Sequence, residues 1–185
     1  PCGKQICGQL LWMRYVSEQA DAPWKIVYFH HPPYSTGNRG PCQSMQYDYL
    51  AADISLVLTG HHHAYENTLL KRESDGSTIA YIVNGIGGTG LSSKNCQNGG
   101  QSSMEAQTGY DICSSTTYDD HHGAMEILAD TEAIEAQVYY GRGKSNNYES
   151  ARVQTCELAK DGGVLSTTCS SVLKGIDCPG YSCPR

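Results

Sequence analysis

Two short apolar runs, each followed at once by histidines, constrain this chain more than any other feature of its sequence. Residues 24–29 (WKIVYF) lead into a histidine pair at 30–31, and residues 54–59 (ISLVLT) lead through one glycine into a histidine triplet at 61–63. Aromatic and β-branched residues dominate the first run, and both runs predict strands of a covered sheet. Ligand sites in open α/β sheets favour the carboxyl ends of strands, where both histidine groups fall.

Shorter patterns complete the expected secondary structure. Periodicity and turn residues predict two helices and two antiparallel hairpins, at 9–18, 43–52, 67–84 and 124–140. The polar, Gly/Ser/Gln-rich stretch of about 91–117 predicts a long inserted surface loop. From residue 143 the composition shifts to Gly, Ser, Asn and Cys with little periodicity. We therefore divide the chain into a domain at 1–142 and a cysteine-rich tail at 143–185.

Composition restricts the class of protein. The chain has 185 residues and a formal net charge of −6, which argues against nucleic-acid binding through a basic surface. No apolar run approaches the length of a membrane span. Nine cysteines are many for a cytosolic protein of this size and indicate an oxidising compartment, so we expect a secreted, extracellular protein. The odd count leaves at least one cysteine free or paired outside this segment. Because the first residue is Pro1, we also expect a piece of a longer protein.

The histidine loops have the chemistry of a metal site. Two imidazoles at positions i and i+2 of an irregular turn can each address one of two neighbouring ions, and Gly60 before them lets the backbone turn sharply. Two prolines, Pro32 and Pro33, stiffen the exit from the other loop and hold its ring direction. Imidazole suits iron, zinc or manganese alike, so the ligand type alone does not select the metal.

Three segments, taken together, resemble the calcineurin-like metallophosphoesterases in their purple acid phosphatase form. These are 24–35 (WKIVYFHHPPYS), 60–66 (GHHHAYE, a Gly-His-x-His motif) and 81–88 (YIVNGIGG). The matches run in family order from about residue 9 to 140, and the pair of histidine motifs is specific although either alone is weak. The resemblance implies the C-terminal half of a four-layer α/β/β/α sandwich, with a mixed sheet and antiparallel hairpins. We expect this chain to supply one sheet of that sandwich and its flanking pieces.

The same resemblance implies site residues. It assigns His30 and His61 to one metal ion and His63 to the other, within a binuclear centre of iron paired with zinc, manganese or iron. Arg39 stands where relatives place phosphate-binding or proton-donating histidines, and it can grip a phosphate oxygen without releasing a proton. His31 and His62 fall at variable positions, either behind the ligands or facing solvent, and the resemblance does not make them ligands. His62 is a weak candidate for the general acid.

Other ligand motifs of that family, Gly-Asp-x-His, Gly-Asp-x-x-x-Tyr and Gly-Asn-His-Glu, do not occur in this sequence. Three histidines shared by two ions leave each ion short of the four or more ligands usual at such sites. The resemblance therefore implies a partner, the N-terminal half of the same phosphatase, as a missing or separate chain. We expect the two metal ions to be bound only when that half is present, and the 185-residue chain to be inactive alone.

Two functions remain as hypotheses. The first is metal-dependent hydrolysis of phosphate monoesters, completed by the N-terminal half. The second is a non-catalytic structural or interaction component of an extracellular assembly that reuses the phosphatase scaffold. Two smaller clusters have simpler interpretations: 121–122 (HH) predicts a polar lead into a strand more readily than a metal site, and the 178–183 cysteine pair predicts a structural disulfide.

Overall fold

The computed structural model describes residues 6–37, 39–88, 90–92, 109–118, 121–142, 149–171 and 176–177. These residues form one α-helix and ten strands: α1 (Ile6–Gln19), β1 (Ile26–Tyr28), β2 (Leu56–Thr59), β3 (Tyr65–Arg72), β4 (Thr78–Asn84), β5 (Tyr110–Tyr118), β6 (Gly123–Ala129), β7 (Ala133–Arg142), β8 (Glu149–Asp161), β9 (Val164–Ser171) and β10 (Ile176–Asp177). Two 3₁₀ helices, Gln43–Met45 and Leu50–Ala52, lie between β1 and β2. No described helix is both long and apolar enough to cross a membrane.

The strands form two sheets. One is a mixed six-stranded sheet in the order β1-β2-β4-β3-β5-β10, and the other is an antiparallel four-stranded sheet in the order β6-β7-β8-β9. Strands β1, β2 and β4 run parallel, so their carboxyl ends meet at one edge of the mixed sheet. This α/β architecture, a mixed sheet with an antiparallel sheet and few helices, confirms the predicted fold class. The chain supplies strands to both sheets, where a single sheet was expected.

The two sheets share one core. Buried apolar residues of the mixed sheet, including Leu70 and Ile79, join one cluster with Ile134 and Leu158 of the antiparallel sheet. Hydrogen bonds also cross between the sheets, because Thr167 of β9 donates its backbone N–H to Thr78 Oγ1 of β4 at 2.6 Å. Burial of this continuous apolar surface is the main force that holds the sheets together.

A disulfide ties the last two long strands. Cys156 of β8 and Cys169 of β9 are direct partners in the strand register, with Cα atoms 4.1 Å apart. The amide nitrogen of buried Asn67 on β3 lies 3.0 Å and 2.8 Å from their two sulfur atoms. The cross-link therefore sits inside the contact between the sheets.

Three sequence predictions differ from the structure. The helix predicted at 43–52 is only two 3₁₀ turns, because Gln46 between them has an extended backbone and Asp53 after them is left-handed. The loop predicted at 91–117 contains most of β5, which pairs with β3; its residues 93–108 lie outside the described part. Residues expected to lack periodicity, from 143 onward, include β8 and β9. Strand β8 pairs with β7 and so extends the antiparallel sheet, although its sequence has little apolar periodicity. Residues 178–185 lie outside the described part.

Candidate metal site

The two histidine loops lie side by side at the carboxyl edge of the mixed sheet. The parallel pairing of β1 and β2 continues past the ends of both strands: Phe29 N–H donates to the Leu58 carbonyl, and Gly60 N–H donates to the His30 carbonyl, each at 3.1 Å. These bonds fix the two loops in register as they leave the sheet.

Three imidazoles converge there, on His30, His31 and His61. The His61 Nδ1 and His30 Nε2 atoms are 3.1 Å apart. With His31 included, one nitrogen from each ring lies within 4.8 Å of the others. The ring centroids are 4.9 Å (His30–His31), 5.0 Å (His30–His61) and 4.5 Å (His31–His61) apart, so the rings form a nearly equilateral triangle. We call this group the three-histidine cluster.

Two imidazoles of the cluster, on His31 and His61, have lowered pKa values that favour the uncharged form. Partial removal from water and the neighbouring His30 lower the pKa of His31 below its usual value. Partial burial, His31 and the Arg39 guanidinium lower the pKa of His61 in the same way. A neutral imidazole has a lone pair on one nitrogen, which is the form that binds a metal ion.

The turn that positions His61 has an uncommon backbone. His61 has φ = 67°, in the left-handed region that non-glycine residues seldom adopt. Gly60, the glycine that was expected to allow the sharp turn, does not have a positive φ. The glycine that the turn requires is Gly85, at the end of β4, because a Cβ there would lie 1.7 Å from the His62 carbonyl oxygen. The loop therefore passes directly over Gly85.

His63, predicted as a metal ligand, lies outside the three-histidine cluster. Its Nδ1 is 2.9 Å from the Gly90 carbonyl oxygen, and its own carbonyl accepts a hydrogen bond from Ser92 N–H at 2.8 Å. A carbonyl can only accept, so Nδ1 carries the proton and Nε2 has the lone pair. Metal-binding histidines commonly donate their other N–H to a backbone carbonyl in this way.

His62 is a packing residue of the same turn. Its side chain is 1% exposed, which is opposite to the solvent-facing alternative considered above. A Cβ on Gly37 would lie 2.4 Å from the His62 ring, so the ring fills the space beneath the loop that follows β1. Burial of this degree separates the ring from any substrate bound at the surface. The catalytic role considered for His62 stays a prediction.

Arg39 and the cluster border a common cleft. The exposed Arg39 follows the His-Pro-Pro loop, and its positive charge acts on His61. The cleft has a volume of about 230 Å³ and is lined by His31, Pro32, Arg39, Gly40, Pro41, Cys42 and His61. A guanidinium and imidazoles around one small cleft form a suitable surface for a phosphate-sized anion.

Sequence reasoning missed Glu66, a fully buried carboxylate at the start of β3. It accepts hydrogen bonds from the Ser35 hydroxyl at 2.8 Å and from the Thr36 backbone N–H and hydroxyl at 2.6 Å and 2.7 Å. These bonds hold the loop after β1 against β3 and thereby position His30 and His31. Its sequence position, in a strand directly after the histidine turn, could have indicated a buried structural carboxylate.

The donor set fits a transition-metal ion. Imidazole nitrogens suit zinc, iron, copper or nickel, whereas magnesium and calcium prefer oxygen ligands. Within the described residues, the cluster contains histidines and no carboxylate. The cluster can therefore supply part of the coordination of a binuclear centre, but not a bridging carboxylate.

Comparison with known proteins identifies the fold. No protein-family model matches this chain, and neither does any curated protein sequence. Its structure is similar to that of purple acid phosphatase PPD1 from seeds of yellow lupin (Lupinus luteus), with a TM-score of 0.51 and 18% sequence identity. The match covers 71% of this chain and 26% of the lupin chain, so this chain spans about a quarter of that protein. The chain has a purple acid phosphatase-like α/β fold.

Proposed function

We propose that this chain supplies one part of the binuclear metal centre of a secreted phosphomonoesterase, with His30, His61 and His63 as ligands. The observation that carries the proposal is the approach of His30 Nε2 and His61 Nδ1 to 3.1 Å from two separate strand ends. Local sequence cannot produce this approach, and two imidazole nitrogens on one ion have about this separation. The His63 tautomer, with Nε2 available as a ligand, supports its assignment to the second ion.

In such a site, Arg39 and Glu66 would have different roles from those of the metal ligands. When bound, a pair of iron, zinc or manganese ions supplies Lewis acidity and a hydroxide at neutral pH. Arg39 binds a phosphate oxygen in the cleft beside His31 and His61. Glu66 keeps the His30 loop in place through its three hydrogen bonds. The disulfide between β8 and β9 is compatible with a secreted protein.

A second polypeptide segment is part of this proposal. Strand β1 is an edge strand of the described sheet, and its Tyr28 side chain is 82% exposed. Beside it, α1 exposes Leu11, Trp12 and Tyr15 at 68%, 67% and 64%. Two apolar cavities of about 410 Å³ each lie between α1 and β1. We propose that the N-terminal half covers this surface, pairs with β1 and supplies the remaining ligands.

The test uses the protein isolated from its source, in whatever covalent form it has there. Bound metal is measured by elemental analysis, and hydrolysis of p-nitrophenyl phosphate is measured with and without a chelator. We expect two ions for each copy of this chain and hydrolysis that the chelator abolishes. Intact mass without reductant is expected to exceed the mass of the 185-residue chain. Metal-free protein without hydrolytic activity contradicts the enzymatic proposal.

The alternative is a structural or interaction component that reuses the scaffold. One observation favours it: the cluster in the described residues has no carboxylate and has an arginine beside it. An arginine cannot serve as a general acid near neutral pH. Chelator-sensitive hydrolysis in the experiment above removes this alternative.

A further inference from the structure

We propose that this chain alone binds a single transition-metal ion through His30, His31 and His61. The inference goes beyond the proposed function in two respects. It uses His31, which the binuclear assignment leaves out, and it needs no second polypeptide. The site consists of the three-histidine cluster at the carboxyl ends of β1 and β2.

Donor spacing is the first argument. Nitrogen ligands about 2.0–2.1 Å from a tetrahedral zinc ion lie about 3.3 Å from one another. The observed His61 Nδ1–His30 Nε2 distance is 3.1 Å, close enough for a hydrogen bond between the two rings and near the spacing of two ligands on one ion. Each of the three rings has a nitrogen within 4.8 Å of a nitrogen of the other two. The His31 ring is exposed and has room to rotate, so it can bring a third nitrogen towards the same ion.

The arrangement of the rings is the second argument. The three rings form a triangle with centroid separations of 4.5–5.0 Å, so all three lie around one small volume. His61 reaches this position only with φ = 67°. Backbone outliers of this type concentrate at ligand-binding sites, where the surrounding structure maintains them. Here Gly85 and the buried His62 ring hold the turn.

Ligand chemistry selects the class of ion. Three imidazoles without a carboxylate favour zinc, cobalt, nickel or copper over magnesium and calcium. Three protein ligands leave a fourth position for water or an anion, as in catalytic zinc sites. His31 and His61 also line the cleft bordered by Arg39, so an inorganic phosphate in that cleft would lie beside the ion and could be its fourth ligand.

His31 and His63 make opposite predictions for a one-ion and a two-ion site. His31 belongs to the three-histidine cluster, whereas His63 is outside it and donates to the Gly90 carbonyl. A binuclear centre needs His63 and not His31. The proposed mononuclear site needs His31 and not His63.

The test is titration of the oxidised 185-residue chain with Co²⁺, followed by visible absorption, and competition with Zn²⁺. We expect one ion per chain and the d–d bands of a four-coordinate site. His31→Ala is expected to weaken binding at least about 100-fold, since loss of residues behind the ligands alone costs 10–100-fold. His122→Ala, the matched control at an exposed histidine outside the cluster, is expected to bind as the parent does. His63→Ala, at a residue that the two-ion site needs, is expected to weaken binding much less than His31→Ala does.

Three results overturn the inference: unchanged affinity of His31→Ala, equal weakening by His63→Ala, or two ions per chain. The last two results leave the proposed binuclear function intact, so the failures are distinguishable. Far-UV circular dichroism of each variant checks the fold. If His31→Ala is misfolded, the exposed His31 is replaced by Gln, and the same affinity criterion applies.

Discussion

Glu66 provides the sharpest test of how the fold positions the site. Replacement by Ala removes the acceptor of three hydrogen bonds from Ser35 and Thr36, all in a region without access to water. Hydrogen bonds to charged groups contribute about 1.5–3 kcal/mol each. With the lower figure for each bond, Glu66→Ala reduces the free energy of unfolding by about 4–5 kcal/mol. A domain of this size has only about 5–15 kcal/mol in total.

Two further variants separate the charge of Glu66 from its shape. Glu66→Gln keeps one carbonyl oxygen, and the Ser35 hydroxyl can rotate to accept from the new amide, so we expect a loss of about 1–2 kcal/mol. Glu73→Ala is the matched control because Glu73 is exposed just beyond the end of β3, and we expect a change within about 0.5 kcal/mol.

The assay is urea denaturation followed by tryptophan fluorescence, with the disulfides intact. If Glu66→Ala is too unstable for its transition to be measured, the urea midpoint of Glu66→Gln is compared with that of Glu73→Ala. We then expect the Glu66→Gln midpoint to be lower. A Glu66→Ala midpoint that corresponds to less than about 1 kcal/mol of loss relative to Glu73→Ala refutes it. The three hydrogen bonds would then contribute nothing net.

Three further predictions follow from single features. Gly85→Ala places a Cβ against the His62 carbonyl oxygen and is expected to lower the free energy of unfolding by about 3 kcal/mol or more. Gly87→Ala is the control: its Cβ meets no atom within 4 Å, and we expect an unchanged urea midpoint. Replacing both cysteines of the β8–β9 disulfide by alanine opens a loop of 13 residues and is expected to cost about 3 kcal/mol, and an unchanged urea midpoint contradicts this. The Arg72 guanidinium holds the pKa of Asp75 well below its usual range. As the pH falls, the Asp75 carboxylate is protonated in the unfolded chain while it is still ionised in the folded chain. The folded chain therefore loses stability as the pH falls below about 4. Asp75→Asn is expected to reduce this loss, measured as the change in urea midpoint between about pH 2.5 and pH 5. Equal changes of the midpoint with pH in Asp75→Asn and in the parent chain exclude the linkage.

Sequence patterns were sufficient for the elements whose stability is local. The strand cores at 26–28 and 56–59 follow from short apolar runs rich in aromatic and β-branched residues. The 65–84 and 123–142 hairpins follow from strand-type segments joined by turn residues. The location of both histidine loops at the carboxyl ends of parallel strands followed from the same patterns. This is enough to predict the fold class and the edge of the sheet that carries the site.

Pairing between distant parts of the chain decided the rest. Strands β8 and β9 lack a clear local pattern and exist because β7 provides an edge for them. The hydrogen-bond partners of Glu66 are about 30 residues away in sequence. His31 belongs to the cluster because its ring contacts that of His61, which lies in the other histidine loop. His63 is turned from the cluster to Gly90, 27 residues further along. The sequence determined which residue types reach the edge of the sheet. Only tertiary packing determined which side chains of different loops meet there, because those contacts depend on the closure of long loops.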